Sequence, residues 1–240
     1  MTVLLVHDDR EYLREPGDEL QTDLGVLEIP RDVESGDTLT THLGEEFTVR
    51  SLRGPDLFNH LERTGAPIMP RDVGLILGYT GIGLGDRVLD AGTGSGVLAA
   101  YLGNVGASVT TYERDPEFAE VARSNMRLAG VADAIDVRIG DVTDHLDDLD
   151  RFDVLTLDTG DAATVVERAP DLLVAGGYVA VYSPFVETSR EVVERARDVG
   201  LSGVETLETI QRRMDFDARG SRPATAGVGH TGYLTFARNE

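Results

Sequence analysis

The most restrictive feature of this 240-residue sequence is a short segment in which every second residue from 92 to 96 is glycine. The segment is Asp90-Ala91-Gly92-Thr93-Gly94-Ser95-Gly96, between an apolar strand pattern over 87–90 and a helical pattern that begins at Val97. Glycines at such a junction let the backbone approach a ligand closely, and free N–H groups at the helix start attract polar ligand groups. The G-x-G-x-G spacing differs from the G-x-G-x-x-G spacing of dinucleotide sites. The segment therefore predicts a ligand site, with a glycine turn beside unrelated surface acids as the alternative.

From about residue 86 the sequence alternates between apolar strand patterns, turns and amphipathic helices, which is typical of an α/β fold with a mostly parallel sheet. The predicted strands are 87–90, 108–112, 135–139, 152–157 and 178–182, and the predicted helices are 97–104, 116–128 and 189–199. Asp115 and Ser189 are the predicted N-caps of the second and third helices. The runs 204–210 and 233–237 predict an antiparallel pair joined by a long polar segment.

The first 64 residues have a different pattern, with short strand-like runs separated by proline and glycine. Such runs favour a small β-rich unit over a helical crossover. We therefore predict a β-rich N-terminal domain over 1–64 and an α/β domain over 65–240.

Three further carboxylates follow predicted strands of the α/β region. Glu113 ends the second strand, Asp141 follows the third and Asp158 follows the fourth. Since open parallel sheets bind ligands at the carboxyl ends of their strands, these acids are candidate ligand contacts, and Glu113 is placed to bind ribose hydroxyls. Asp158 is favoured to hold an acceptor, with helix capping as its alternative, whereas Asp161 fits a cap better.

The charge of the sequence is unusual, because 43 acidic residues face 22 arginines and no lysine, for a net charge of -21. Acidic residues spread along the chain indicate adaptation to a salt-rich cytoplasm, that is, an extreme halophile. The Debye length falls to about 3 Å at 1 M salt, so repulsion between this chain and a nucleic acid would be screened. The charge therefore does not exclude an RNA partner.

Several classes of protein are disfavoured. The sequence has no cysteine, which excludes disulfides, thiol nucleophiles and cysteine metal sites. No run approaches the roughly 18 apolar residues of a membrane span, and the N-terminal stretch becomes acidic before a signal sequence could form. No cluster of histidine and acidic residues has metal-ligand spacing. We expect a cytoplasmic protein that binds neither membrane nor metal.

Four stretches resemble a known family: residues 85–96, Thr41-His42-Leu43-Gly44, Met69-Pro70-Arg71-Asp72 and Gly229-His230-Thr231-Gly232-Tyr233-Leu234. The first is similar to the class I S-adenosylmethionine-dependent methyltransferases. Together the four resemble the archaeal and bacterial tRNA (adenine-N1)-methyltransferases.

The resemblance implies a Rossmann-like, seven-stranded, mostly parallel sheet and a homotetramer that methylates N1 of an adenine, position 57 or 58, in the tRNA T-loop. It implies that Asp158 is the catalytic residue. The implied S-adenosylmethionine contacts are Asp90, Gly92, Thr93, Gly94, Ser95, Gly96, Glu113, Arg114, Asp141 and Asp158.

Two departures from the family pattern leave alternatives open. Thr159-Gly160-Asp161-Ala162-Ala163 replaces a segment that usually contains proline and tryptophan, and Met69 replaces a tyrosine. A methyltransferase with a protein or small-molecule acceptor is one alternative, and a catalytically silent cofactor-binding subunit is another. A nicotinamide dehydrogenase is disfavoured by the glycine spacing.

Two further groups of residues have open roles. The segment 211–223 contains Arg212, Arg213, Arg219 and Arg222 against Asp215 and Asp217. These arginines either bind phosphate, form ion pairs within the loop or contact another subunit. His42 and His230 are expected to be structural rather than catalytic.

Overall fold

The computed structural model describes residues 2–226, 229 and 231–240. Its centre is a seven-stranded sheet. The strands are β7 (Arg87–Ala91), β8 (Ser108–Glu113), β9 (Ile135–Ile139), β10 (Phe152–Leu157), β11 (Leu173–Ser183), β12 (Ser202–Glu208) and β15 (Tyr233–Arg238). Their order across the sheet is β12-β15-β11-β10-β7-β8-β9. Strands β7 to β11 are parallel, and β15 lies antiparallel between β11 and β12. The predicted Rossmann-like, mostly parallel sheet is confirmed.

Helices cover both faces of this sheet because residues within each strand alternate between two apolar cores. One core holds Val88 of β7 against helices α1 (Gly54–His60), α2 (Pro70–Thr80), α3 (Val97–Asn104) and α4 (Pro116–Ala129). The other holds the next residue, Leu89, against α5 (Ala162–Glu167), α6 (Ala169–Leu172) and α7 (Val186–Asp198). The α/β region is therefore a three-layer sandwich.

The N-terminal region is β-rich, as predicted. A four-stranded antiparallel sheet in the order β2-β1-β6-β5 is built from β1 (Val3–His7), β2 (Arg10–Arg14), β5 (Thr38–Thr40) and β6 (Glu46–Ser51). Strands β3 (Glu19–Thr22) and β4 (Gly25–Glu28) form a separate hairpin. Phe47 and Val49 of β6 are fully buried in a small core of this region. The short helix α1 follows β6 and packs Leu57 into the core of the α/β region.

Most predicted elements of the α/β region are confirmed, and the exceptions have local causes. Asp115 caps α4 by accepting hydrogen bonds from the N–H groups of Glu117 and Phe118. The prediction that Ser189 caps the last helix is wrong, because α7 begins at Val186 and Ser189 lies in its first turn. A turn in which Ser183 Oγ accepts from the Phe185 N–H sets the earlier start.

The antiparallel pair predicted near the end of the chain is also confirmed as β12 and β15. The segment between them contains a hairpin of β13 (Met214–Asp217) and β14 (Gly220–Pro223). None of the described helices is long and apolar enough to cross a bilayer.

Candidate functional site

The glycine loop lies between β7 and α3, at the carboxyl edge of the sheet. Gly92 adopts φ +92°, and a Cβ at this position would lie 2.1 Å from the backbone oxygen of Asp158. Only glycine fits where the two strand ends approach so closely. Gly96 is the N-cap residue of α3. The loop therefore turns tightly against the end of β10.

Hydrogen bonds fix this loop to the neighbouring strand β8. The N–H groups of Gly92 and Thr93 both donate to the Tyr112 carbonyl, and Thr93 Oγ1 pairs with Thr111 Oγ1. The Gly94 N–H donates to Glu113 Oε2 over 2.8 Å. The loop conformation is thus set by the protein itself.

Asp90 lies beneath the loop, with 3% of its surface exposed. Its two carboxylate oxygens accept hydrogen bonds from the hydroxyls of Thr111 and Thr156, each over 2.6 Å. Burial raises the pKa of Asp90, while these two hydroxyls oppose the rise. The structure thus places Asp90 where it joins three strand ends below the cleft.

Glu113 and Asp141 lie at the carboxyl ends of β8 and β9, as the sequence predicted. Glu113 also accepts from the Asp115 N–H over 3.0 Å. Asp141 accepts from the backbone N–H and hydroxyl of Thr143, which lower its pKa. Backbone N–H groups hold both acids in place, and both carboxylates also line the cleft at this edge of the sheet.

Arg114 connects two strand ends across the mouth of the cleft. Its guanidinium lies 3.4 Å from an Asp141 oxygen and 3.1 Å from an Asp161 oxygen. Asp161 precedes α5 at the N-cap position, as predicted, but its side chain makes no capping bond. The prediction that it caps is wrong because its carboxylate pairs with Arg114 instead.

Two adjoining cavities form the cleft. The loop-side cavity, about 110 Å³, lies between the glycine loop and residues 64–68, and Thr93 and Ser95 line it. The strand-edge cavity, about 290 Å³, lies between the loop and the ends of β8 and β9 and includes Glu113, Arg114 and Asp141. Together they reach the size of ordinary small-molecule sites. Gly92, Gly94, Phe118 and Asp158 line both cavities.

Asp158 thus lies where the two cavities meet. Burial raises its pKa to about 7, and the nearby Asp90 carboxylate adds to the rise. No hydrogen bond from another described residue reaches the Asp158 carboxyl group. A carboxyl group with these properties can accept a hydrogen bond from a ligand and change its protonation state near neutral pH.

A second group of polar side chains lies near Asp158 but outside the predicted set. Asp72 is 4% exposed, and its Oδ2 lies 3.4 Å from Arg71 Nε, yet neither atom has a hydrogen bond among the described residues. Burial raises the pKa of Tyr182, and the charges of Asp158 and Asp72 add to the rise. A Cβ at Gly232 would lie 2.2 Å from the Tyr182 ring, so this glycine admits the tyrosine.

The arginine-rich segment lies away from the two cavities, on the β13–β14 hairpin. Arg219 and Arg222 lie 3.0 and 3.7 Å from Asp217. The ion-pair alternative therefore accounts for these two arginines. Arg212 contacts the Ala224 carbonyl instead.

The two histidines of the family-like stretches have different outcomes. His42 Nδ1 accepts from the Val26 N–H over 2.8 Å, which fits the predicted structural role. His230 lies outside the described residues.

Sequence reasoning missed Phe118, Tyr182 and the wall formed by residues 64–68. The wall has no motif of its own, and the position of Tyr182 within the predicted strand 178–182 favours a core residue over a site residue. The proline after Asp115 was a usable signal for Phe118, because it placed this residue in the first helical turn facing the loop.

Among the residues that the structure describes, no three histidine or acidic side chains are grouped as a metal site.

Comparisons with known proteins identify relatives of this chain. The tRNA (adenine(57)-N(1)/adenine(58)-N(1))-methyltransferase TrmI of Methanocaldococcus jannaschii is 34% identical over 258 aligned residues, which cover 95% of this chain and 91% of that protein.

Solved structures share the fold. A SAM-dependent O-methyltransferase of Thermotoga maritima matches with TM-score 0.79 and 25% identity, covering 99% of this chain and 92% of that one. The tRNA (m1A58) methyltransferase TrmI of Aquifex aeolicus matches with TM-score 0.73 and 23% identity, covering 100% and 97%. At 23% identity the second match supports the fold alone.

A family model described as the tRNA methyltransferase complex GCD14 subunit matches residues 55–222. This range runs from α1 to β14 and includes all of the predicted site residues. With that match and the 34% identity to TrmI across almost the whole chain, the protein belongs to the GCD14/TrmI family of tRNA methyltransferases.

Proposed function

We propose that this protein is an S-adenosylmethionine-dependent methyltransferase that modifies N1 of an adenine in the tRNA T-loop, at position 57 or 58 as in the name of its archaeal relative. The observation that carries the proposal is the position of Asp158. Its carboxyl group lies at the junction of two cavities and makes no hydrogen bond to another described residue. That position suits a group that contacts an acceptor beside a bound cofactor.

The residues around the two cavities fit the proposed cofactor. Glu113 and Asp141 present carboxylate edges suited to hydroxyl and amino groups, and the close approach at Gly92 leaves no side chain in the way. Thr93, Ser95 and Gly94 would line its other end, while Gly96 starts α3 and Arg114 borders the opening. When bound, S-adenosylmethionine supplies an electrophilic methyl group. Asp90 would act indirectly by holding the loop.

Asp158 would act on the acceptor base. Adenine N1 carries a lone pair at neutral pH, so the protein need not remove a proton from it; it must orient the ring. An ionised Asp158 that accepts a hydrogen bond from the adenine N6 amino group would hold the ring in place. The same carboxylate would stabilise the positive charge that methylation places on the base. Asp158 therefore combines positioning with electrostatic stabilisation.

The test is transfer of labelled methyl groups from S-adenosylmethionine to unmodified T-loop tRNA in molar KCl, followed by nucleoside analysis. We expect N1-methyladenosine, and we expect it to disappear when the T-loop adenines are replaced by guanine. A folded protein that binds the cofactor but modifies no tRNA would overturn the assignment. That outcome would favour a protein or small-molecule acceptor, or a silent subunit. Met69 and the segment Thr159 to Ala163 motivate these alternatives.

We further propose a homotetramer that works in the cytoplasm of a halophile. Support for self-association comes from Met214 and Phe216, which lie on one face of β13 and are 48% and 77% exposed. The excess of acidic residues supports the halophilic habitat, and a tRNA substrate supports the cytoplasm. Light scattering in molar KCl tests the assembly, and a monomeric mass for the active enzyme would contradict it.

A further inference from the structure

Asn125 is a fully buried amide on the side of α4 that faces the glycine loop, with 0% of its surface exposed. Its Oδ1 accepts from the Glu62 N–H over 3.1 Å, and its Nδ2 donates to the Glu62 carbonyl over 2.9 Å. Nδ2 also donates to the Ser95 carbonyl over 2.7 Å. One side chain therefore binds both backbone groups of residue 62 and one backbone group of the glycine loop.

These bonds join the two walls of the loop-side cavity. Ser95 belongs to the glycine-loop wall, while Glu62 lies two residues before the opposite wall of residues 64–68. The two walls approach each other at Thr64, whose Oγ1 would lie 4.0 Å from a Cβ at Gly94. The hydrogen bonds of Asn125 to Glu62 and Ser95 thus connect the same two walls that approach each other at Thr64.

We propose that Asn125 is a positioning residue for the cofactor, which sets the width of the loop-side cavity by fixing Glu62 to Ser95. The inference deepens the proposed function and rests on it. Asn125 touches neither cavity, since it lies behind the glycine loop. Its effect on the ligand passes through the walls that it joins.

The chemistry of the asparagine amide explains why this residue type suits the position. An amide offers one acceptor oxygen and two N–H donors, and Asn125 uses the oxygen and the amino group together. Aspartate has the same shape, but its carboxyl group has no donor when ionised and a single O–H donor when protonated, so it cannot donate to both the Glu62 and the Ser95 carbonyl. Leucine has a similar size but no polar atom, and would leave three backbone groups unpaired.

The experiment compares Asn125→Asp with Asn59→Asp, which makes the same chemical change on an exposed side of α1. Calorimetry would measure the affinity of each folded variant for S-adenosylhomocysteine, an unreactive probe. Initial rates would give KM for S-adenosylmethionine and kcat separately. We expect Asn125→Asp to raise the dissociation constant and KM by about 30-fold, because buried carbonyls lose their donors. We expect kcat at saturating cofactor to stay within about threefold, and Asn59→Asp to match the wild type.

The outcomes separate this inference from the proposed function. If the wild-type protein does not bind S-adenosylhomocysteine, the proposed function fails first. If the wild type binds the probe and a folded Asn125→Asp binds it equally well, the positioning role is wrong. A fall in kcat with unchanged KM would mean that the substitution only reduces the fraction of folded enzyme, which also contradicts the role.

A measurement on the wild-type protein covers the case in which Asn125→Asp does not fold. Amide hydrogen exchange should show the Glu62 N–H exchanging far more slowly than exposed amides, because its acceptor is a buried side chain. Addition of S-adenosylhomocysteine should slow the exchange further. Exchange of the Glu62 amide at the rate of an exposed loop amide, with or without the probe, would overturn the inference.

Discussion

The two sides of the cleft treat their polar groups in opposite ways. On the glycine-loop side, Asp90, Glu113 and Asp141 all accept hydrogen bonds from the protein. On the acceptor side, the half-buried Asp158 carboxyl group and Oδ2 of the buried Asp72 accept no hydrogen bond in the described part of the chain. The cofactor side is therefore preorganised, whereas the acceptor side has carboxyl oxygens that remain free to accept hydrogen bonds from a ligand.

The difference indicates which step each side of the cleft favours, ligand binding or methyl transfer. Carboxylates that are already held cost little to order when a ligand arrives, so they favour binding. Carboxyl groups that are partly or fully buried without donors are unfavourable until a partner supplies one, so they favour interactions that strengthen as charge develops. Substitutions on the glycine-loop side should alter the affinity for the cofactor, and substitutions on the acceptor side should alter the rate of methyl transfer.

The strongest test of this difference is Asp158→Asn. We expect methyl transfer to fall by about 100- to 1000-fold, because the amide cannot offset the positive charge on the methylated base. Affinity for S-adenosylhomocysteine should stay within a few-fold of wild type. Single-turnover rates and calorimetry would check the two values. Unchanged turnover would remove Asp158 from the mechanism and abolish the proposed contrast.

Gly92→Ala should have the next largest effect, this time on the loop side. A Cβ would meet the Asp158 backbone oxygen at 2.1 Å, and φ +92° disfavours any side chain. We expect the free energy of unfolding to fall by about 2–3 kcal/mol. Gly94→Ala is the matched control, because the nearest atom to its Cβ is 4.0 Å away. Chemical denaturation of both variants in molar KCl would measure the difference, and equal losses would contradict the close approach.

The pH dependence sharpens the role of the acceptor side. Since burial raises the pKa of Asp158 to about 7, kcat/KM should fall about tenfold per pH unit below 7 and level off above it, as the carboxylate form is the active one. The raised pKa means that the folded state binds this proton more tightly than the unfolded state. The contribution of Asp158 to stability should therefore decrease as pH rises from about 4 to about 7.

Both of these trends should flatten in Asp158→Asn, which cannot titrate. Rate profiles between pH 5 and 9 and thermal unfolding between pH 4 and 9 would measure them. A wild-type rate that falls as pH rises through 7 would contradict the assignment of the carboxylate as the active form.

Arg114→Ala should have the smallest effect. Its guanidinium is 60% exposed, and such surface ion pairs contribute about 0–1 kcal/mol. We expect cofactor affinity to fall by no more than about fivefold, with kcat unchanged. A larger loss in calorimetry would mean that Arg114 contacts the cofactor directly rather than through Asp141.

The sequence predicted the loop side of the cleft better than the acceptor side, for a physical reason. Gly92, Glu113 and Asp141 follow strands whose carboxyl ends must meet at one edge, so pattern alone brings them together. Tyr182 on a sheet strand and Asp72 and Asn125 on helices lie around the site without lining its cavities. Their positions depend on how the elements pack, and a local pattern does not carry that information.

The N-terminal region shows the same limit. Its β-rich character follows from short runs between turn residues, but the pairing order β2-β1-β6-β5 depends on contacts between distant residues.

The sequence did not predict the early start of α7, because the exposed Phe185 and Val186 do not continue the apolar periodicity of the helix.

The position of β15 has a consequence for the order in which the strands pair during synthesis. Strand β12 reaches the sheet through β15, which is synthesised after the intervening residues 209–232. Until the ribosome has made that segment and β15, β12 lacks the strand with which it pairs. The strands that hold the glycine loop can already be paired at that stage. A chain of this topology can therefore assemble its cofactor side during translation and complete the far edge of its sheet only near the end.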